Sequence, residues 1–294
     1  MKSCIYILVL LISILITSCE YDYQPDIKYS QYQGIVIINS YLSPKNDVKI
    51  ELYRILPVKN RFEYTGLKGA FLTLYEDNDI IYEGDCDSIL ILDHKPKEGM
   101  TYRVKVDYDS VAYAASTTVP HKVTSDVTRE NGMYIITSLF SEIPSPVWIT
   151  ASLVFTEDSV IQFQELYSKS SLLDEINKET VSYVISPDLG NIYYNGFIRV
   201  NKVNIHNVDT IVFRPLLNRS LILKDVQCIR ISVLSGSIDY DQYNRSSYQF
   251  FSGNLGNEFS AFFYQPKTIY SNIVNGHGIF AGYTERYYDF PITQ

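Results

Sequence analysis

The residues best placed to do chemistry stand at the front of the chain, where Ile16, Thr17, Ser18 and Cys19 close an apolar run. An aliphatic residue, two small ones and a cysteine form the bacterial lipobox, whose cysteine receives a thioether-linked diacylglycerol and then becomes the first mature residue. Lys2 and the run from Ile5 to Ile16, broken by Ser13, have the layout of an export signal. As a helix the run would cover about 18 Å, well short of the ~30 Å hydrocarbon core. Residues 1–18 therefore read as a signal peptide and Cys19 as the lipidation site. Diacylglycerol plus an N-acyl chain exceeds the two lipid signals that stable anchoring needs. An ordinary secretory signal with a chance cysteine is the blander alternative.

Other constellations are weaker. Asn275-Gly276-His277-Gly278, with Gly282 beyond, spaces its glycines like a phosphate loop, but no Lys-Ser/Thr pair follows. The glycines read better as sites of positive φ or close backbone approach, where a C-terminal strand folds back over the domain. Partner contact through Gly276, His277 and Gly278 is the functional alternative. Glu76-Asp77-Asn78-Asp79 and Glu83-Gly84-Asp85-Cys86-Asp87 gather carboxylates across a hairpin without the ligand order of a calcium loop. Solvated turns collect such residues, so no metal is expected. His94, His121, His206 and His277 lie far apart and lack zinc-ligand spacing, and no G-x-S-x-G elbow is present. A non-enzyme without cofactor is expected. A hydrolase would need His121, His206 or His277 beside a nucleophile or carboxylate in a cleft. Cys86 and Cys228 are the pair that an oxidising compartment could bridge, with two unpaired thiols as the alternative. Asp87-Ser88-Ile89, Asp109-Ser110-Val111, Asp158-Ser159-Val160 and Asp209-Thr210-Ile211 each resemble an O-glycosylation acceptor triplet.

The elements that must position these residues are mostly strands. Seven runs rich in Val, Ile and Tyr occupy residues 34–122: GIVIINSYL, DVKIELYRIL, GAFLTLYED, DIIYEG, SILILD, TYRVKVDYD and VAYAASTTVP. TYRVKVDYD alternates, with Tyr102, Val104, Val106 and Tyr108 on one face and Arg103, Lys105 and Asp107 on the other. Many short strands punctuated by turn residues predict a β-sandwich. Residues 123–294 read as a second β-rich domain with one or two short helices. Its strands are MYIITSLF, VWITASLVF, VSYVIS, TIVFRP and QCIRISVLS. Residues 161–176 read as a loop or partial helix. Ser237 to Phe251, with aromatic i,i+3 pairs and Gly253 as a stop, predicts a helix.

Residues 19–33 form an acidic, proline-containing tether. The mature chain would carry 24 basic and 33 acidic residues, a balance of −9. That charge repels phosphates and offers no basic stripe, so nucleic acid is excluded as a partner. Tyrosine, at 26 residues, is abundant against a single Trp. It suits half-buried sheet faces and binding faces alike.

The lipobox, GIVIINSYLSPKNDVKIELYR, LKGAFLTLYEDND, EGMTYRVKVDYDSVAYAASTTVP, ISVLSGSIDYDQYNRSSYQFF and SNIVNGHGIFAGY, in that order, resemble the Bacteroidetes lipoproteins grouped as domain of unknown function 4249. The resemblance implies an outer-membrane or surface lipoprotein with an immunoglobulin- or transthyretin-like first domain. It also implies companionship with a TonB-dependent outer-membrane transporter, and it carries no catalytic residues. Acidic residues directly behind Cys19 resemble the surface-export signals of such lipoproteins. The expectation is a non-enzymatic accessory of nutrient uptake, contacting a transporter or its cargo through Tyr240, Tyr243 and the Gly276 to Gly282 segment. The alternative is a free-standing adhesin or carbohydrate-binding protein that stacks ligands on exposed Tyr and on Trp148.

Overall fold

The computed structural model describes residues 34–58, 61–138, 145–155, 161–168, 184–186, 190–195, 197–200, 209–216, 226–254 and 268–292. Cys19, the signal peptide, the tether and His206 lie outside them, as do residues 169–176. The described residues are mainly β, with eighteen strands and one helix.

The first half is a sandwich. One layer holds β1 (Val36–Leu42), β2 (Val48–Val58), β3 (Arg61–Gly66) and β6 (Ile89–Leu92). The other is a four-stranded sheet of β5 (Asp79–Cys86), β4 (Ala70–Glu76), β7 (Thr101–Tyr108) and β8 (Val111–Thr118), in that order. All seven expected strands form, and β3 is an addition. Alternation decides what is buried: Ile38, Ile50, Leu72, Tyr102, Val104 and Val106 are at most 1% exposed and pack in one core between the layers.

The second half is built on β9 (Ser125–Glu130), β10 (Met133–Ser138), β11 (Val147–Phe155), β12 (Ile161–Ser168), β16 (Asp209–Leu216) and β17 (Val226–Gly236). Short strands β13 (Val184–Ser186), β14 (Gly190–Asn195) and β15 (Ile198–Arg199) attach to its side. β12 corrects the expected loop or helix over its residues. Its polar composition misleads, because cross-strand pairing with β11 and β16 fixes the segment as strand while Leu166 and Ser168 turn inward. A second core gathers Tyr134, Ile136, Ile149, Leu153, Phe213 and Ile231.

One strand joins the halves. β18 (His277–Pro291) runs parallel to β1 from Ile37 opposite His277 to Leu42 opposite Gly282. From Tyr283 onward it runs antiparallel to β17. A continuous path of hydrogen-bonded strands therefore runs from β3 through β1, β18, β17 and β11 to β9. Gly282 marks the change of partner. A Cβ there would lie 2.9 Å from both the Thr118 carbonyl oxygen and Val119 Cα, so only glycine lets β18 pass beside the end of β8. Phe280, from the same strand, lies in the first core.

The helix α1 (Ile238–Asn254) follows β17 directly. Ser237 caps it: the Tyr240 N–H donates to Ser237 Oγ at 3.2 Å. Asp239 and Asp241 in the first turn suit the positive end of the helix dipole. The Ser237 N–H donates to the Gly282 carbonyl at 2.8 Å, so the cap also ties the helix to the crossing point of β18. Among the described residues, no helix is long and apolar enough to cross a membrane.

Candidate functional site

The acidic turn divides on folding. Glu76, 7% exposed, turns inward and accepts hydrogen bonds from the Tyr102 hydroxyl at 2.6 Å and Lys97 Nζ at 2.5 Å. His94 Nε2 lies 2.7 Å from the same carboxylate. Burial pushes the Glu76 carboxyl up, but these hydrogen bonds outweigh it and hold it below its ordinary value. Asp77 instead shapes the turn, with φ 51° and its carboxylate accepting the Thr101 N–H at 2.9 Å. The cluster is a structural network, and no three His, Cys, Asp or Glu side chains converge as metal ligands among the described residues.

The expected contact glycines are structural as well. Gly278 has φ +110°, and a Cβ on it would meet the Ile38 carbonyl oxygen at 2.2 Å. A Cβ on Gly276 would lie 3.0 Å from the Val36 carbonyl oxygen and from the Tyr113 ring. Both let β18 lie close against β1, and only His277 between them is exposed. Cys86 and Cys228 are free thiols, which corrects the bridge considered between them. Cys86 sits inside the first core and Cys228 on β17 in the other half, and burial pushes both thiols up. His121 is exposed, with Nδ1 3.9 Å from the Glu98 carboxylate at the surface. Ser110 is exposed at a turn, whereas the Ser88 hydroxyl reaches the Leu67 carbonyl at 3.5 Å.

Helix α1 separates two aromatic clusters. On one side Trp148, 4% exposed, lies 4.7 Å from Phe197 between ring centroids and 6.2 Å from Tyr248. Its indole N–H donates to Asp241 Oδ1 at 2.9 Å, and Arg199 grips the same carboxylate through two hydrogen bonds of 2.7 and 2.8 Å. The Trp148 face is thereby closed to any stacked ligand. On the other side Tyr41 meets Tyr240 and Tyr243 edge-on, with centroids 5.9 and 6.4 Å apart. Tyr283 from β18 lies 5.6 Å from Tyr240. Tyr240 packs against both clusters and forms the back of the second. Tyr41 stays 41% exposed.

This second cluster walls a cleft of about 540 Å³, within the range of small-molecule sites. Its floor is the outer face of the first half's sheet, where Asn39 on β1 stands opposite Glu51 on β2, and Lys49 opposite Ile91 on β6. Asn46 and Asp47, in the β1–β2 turn, close one end. Asn39 is fixed because its Oδ1 accepts the Ile279 N–H at 3.3 Å. Lys49 pairs with Glu51. Burial, with help from the neighbouring Tyr243, pushes the Tyr41 phenol well above its ordinary value; burial does the same for Tyr240 and raises Tyr283. These hydroxyls are neutral donors and acceptors at any physiological pH. Of the residues expected in a contact surface, Tyr243 lines the cleft and Tyr240 supports it. Tyr41 and Tyr283 were not singled out in the sequence, although the alternation of GIVIINSYL already puts Ile37, Asn39 and Tyr41 on the outward face.

No curated protein matches the sequence. Among solved structures the chain is similar to the chicken interferon gamma receptor alpha chain at 9% identity, covering 71% of this chain and 91% of that one with a TM-score of 0.20. That likeness is too slight to carry an argument. Residues 20–289 match the family described as Domain of unknown function (DUF4249), and the chain belongs to that family.

Proposed function

We propose that the protein is a surface lipoprotein of the Bacteroidetes outer membrane that acts as a binding component of a TonB-dependent nutrient-uptake system, without catalysis of its own. The observation that carries the binding reading is the tyrosine-walled cleft held between the two halves. Its walls come from regular elements, a strand pair and a capped helix, and such elements hold side chains in place better than loops do. Cys19 supplies the anchor, and residues 19–33 could reach at most about 50 Å at 3.3–3.6 Å per residue. The chain enters β1 at the end opposite Tyr41, so the cleft opens about 20 Å along the strand from the tether. Confinement to the membrane raises the effective concentration of protein and transporter for each other, so modest affinity suffices.

The test is purification of a C-terminally tagged protein from gently solubilised outer membranes, with Cys19→Ala as control and mass spectrometry as readout. A β-barrel transporter recovered in near-stoichiometric amount, and lost from the control, is the expected result. Recovery of the protein alone refutes the accessory role and leaves a free-standing adhesin, which would have to work without Trp148 as a stacking face.

A further inference from the structure

We infer that the cleft between β1, β2 and α1 is a saccharide site whose ligand is a short, uncharged oligosaccharide. The inference deepens the binding role proposed above and rests on it. Three features of the lining select the ligand class.

The first is the aromatic corner. Tyr41 and Tyr243 belong to different elements, and their ring planes meet at 72°. Sugar rings offer patches of C–H that pack on aromatic faces, and an angled pair holds a bent chain of two or three rings better than a flat ligand. Tyr41 keeps 41% of its surface open for this contact although its neighbours hold it on one side. Tyrosine provides large contact area at low conformational cost.

The second is the polar complement. Asn39, Asn46, Asp47 and Glu51 line the cleft with planar amides and carboxylates. Paired donor and acceptor atoms on such groups match the adjacent hydroxyls of a sugar. Asn39 is already oriented by the backbone of β18, so part of the ordering cost is met before a ligand arrives.

The third is charge. Among the described residues the lining carries two carboxylates, Asp47 and Glu51, and one ammonium, Lys49, which is already engaged by Glu51. A balance of two acids against one base disfavours phosphorylated, sulfated or sialylated ligands. Among the described lining residues Ile91 is the exposed aliphatic side chain, Ile279 being buried, and that is too little to bury the apolar face of a helix or a lipid chain. A basic peptide shares the charge preference and can set a cation over a ring, but it makes no use of paired amide and carboxylate atoms matched to adjacent hydroxyls, and it is the competitor in the test.

The experiment places the mature protein, in detergent micelles, on an array of neutral and acidic glycans, with an oligolysine peptide measured in parallel. Hits are quantified by calorimetry. Neutral oligosaccharides should bind, and Tyr41→Ala and Tyr243→Ala should each weaken the best of them by about tenfold or more. Tyr64→Ala, at an exposed residue that does not line the cleft, should leave affinity unchanged. Absence of any neutral hit, preference for acidic glycans or for oligolysine, or binding indifferent to both cleft substitutions overturns the inference. These outcomes are separable from the accessory role, because transporter co-purification is measured independently and would persist if only the ligand class were wrong.

Discussion

The two aromatic clusters flanking α1 share rings, a helix and a neighbourhood, yet one is closed and the other open. Trp148, Phe197 and Tyr248 close around a carboxylate that two donors satisfy. Tyr41, Tyr243 and Tyr283 instead surround space, with Asn46, Asp47 and the Lys49–Glu51 pair along its edge. An aromatic side chain is therefore not a site by virtue of its type. What separates the two is whether the polar partner sits behind the rings, where it completes the core, or beside them, where it can meet a ligand.

Breaking the closed cluster should have the largest effect. Asp241→Ala removes a carboxylate that both Arg199 and Trp148 hold, and Asp241 and Arg199 side chains are only 7% and 12% exposed. Losing one member of a buried, hydrogen-bonded ion pair costs about 3–5 kcal/mol. Chemical unfolding should show that loss, together with a red shift of emission from the single Trp as water reaches its ring. A cost below about 1 kcal/mol would mean that the carboxylate adds little to the closed cluster.

The next test asks whether the open cluster depends on the strand that joins the halves. Gly278→Ala forces a side chain into a left-handed backbone, φ +110°, against the Ile38 carbonyl oxygen. Destabilisation should exceed about 1 kcal/mol. Because β18 brings Tyr283 to the back of the cleft, hydrogen exchange should rise first in β1 and β18, while Trp148 emission stays native. Equal loosening of both clusters would show that α1 and β18 unfold as one unit.

How much of this was legible in the sequence varies with the range of the interaction. Strand periodicity is local, so β7 and β4 could be read from TYRVKVDYD and GAFLTLYED, and Ser237 with its following aromatics marked α1 within a few residues of its ends. β3 and β12 were missed because RFEYTG and IQFQELYS are polar, and only cross-strand pairing makes them strands. The glycines of NGHGIFAG were read as a place of close backbone approach, but their neighbour, β1, lies some 240 positions earlier. The same distance hid the cleft. Tyr243 stood out in the helix pattern, while Tyr41 acquires meaning only once β18 brings α1 above β1. Trp148 looked like a stacking platform because its partner Asp241 lies 93 residues away.

A smaller effect should appear at alkaline pH, where both clusters contribute, since burial raises the Tyr248 phenol of the closed cluster too. Tyr41, Tyr240 and Tyr283 phenols are all raised by burial, so the folded state favours their neutral form. The stability they confer is complete below the ordinary tyrosine value of about 10 and is lost as pH climbs from there toward the folded values. Tyr41→Phe and Tyr240→Phe should therefore flatten the alkaline limb of a stability profile between about pH 10 and 12 and leave neutral pH nearly unchanged. An unaltered limb in both variants would place the alkaline sensitivity elsewhere.

The smallest effect is the sharpest discriminator. Truncating a buried tryptophan costs about 3–5 kcal/mol, so Trp148→Ala should unfold readily. Tyr41→Ala should cost only about 1–2 kcal/mol, the low end for two edge-on ring contacts of about 0.5–1.5 kcal/mol each, because the residue stays 41% exposed. A half-open ring that gave little to stability would be free for selection by what it binds. If Tyr41→Ala instead proved as damaging as Trp148→Ala, the ring would be a core residue seen at its edge, and the cleft would lose the wall on which ligand binding depends.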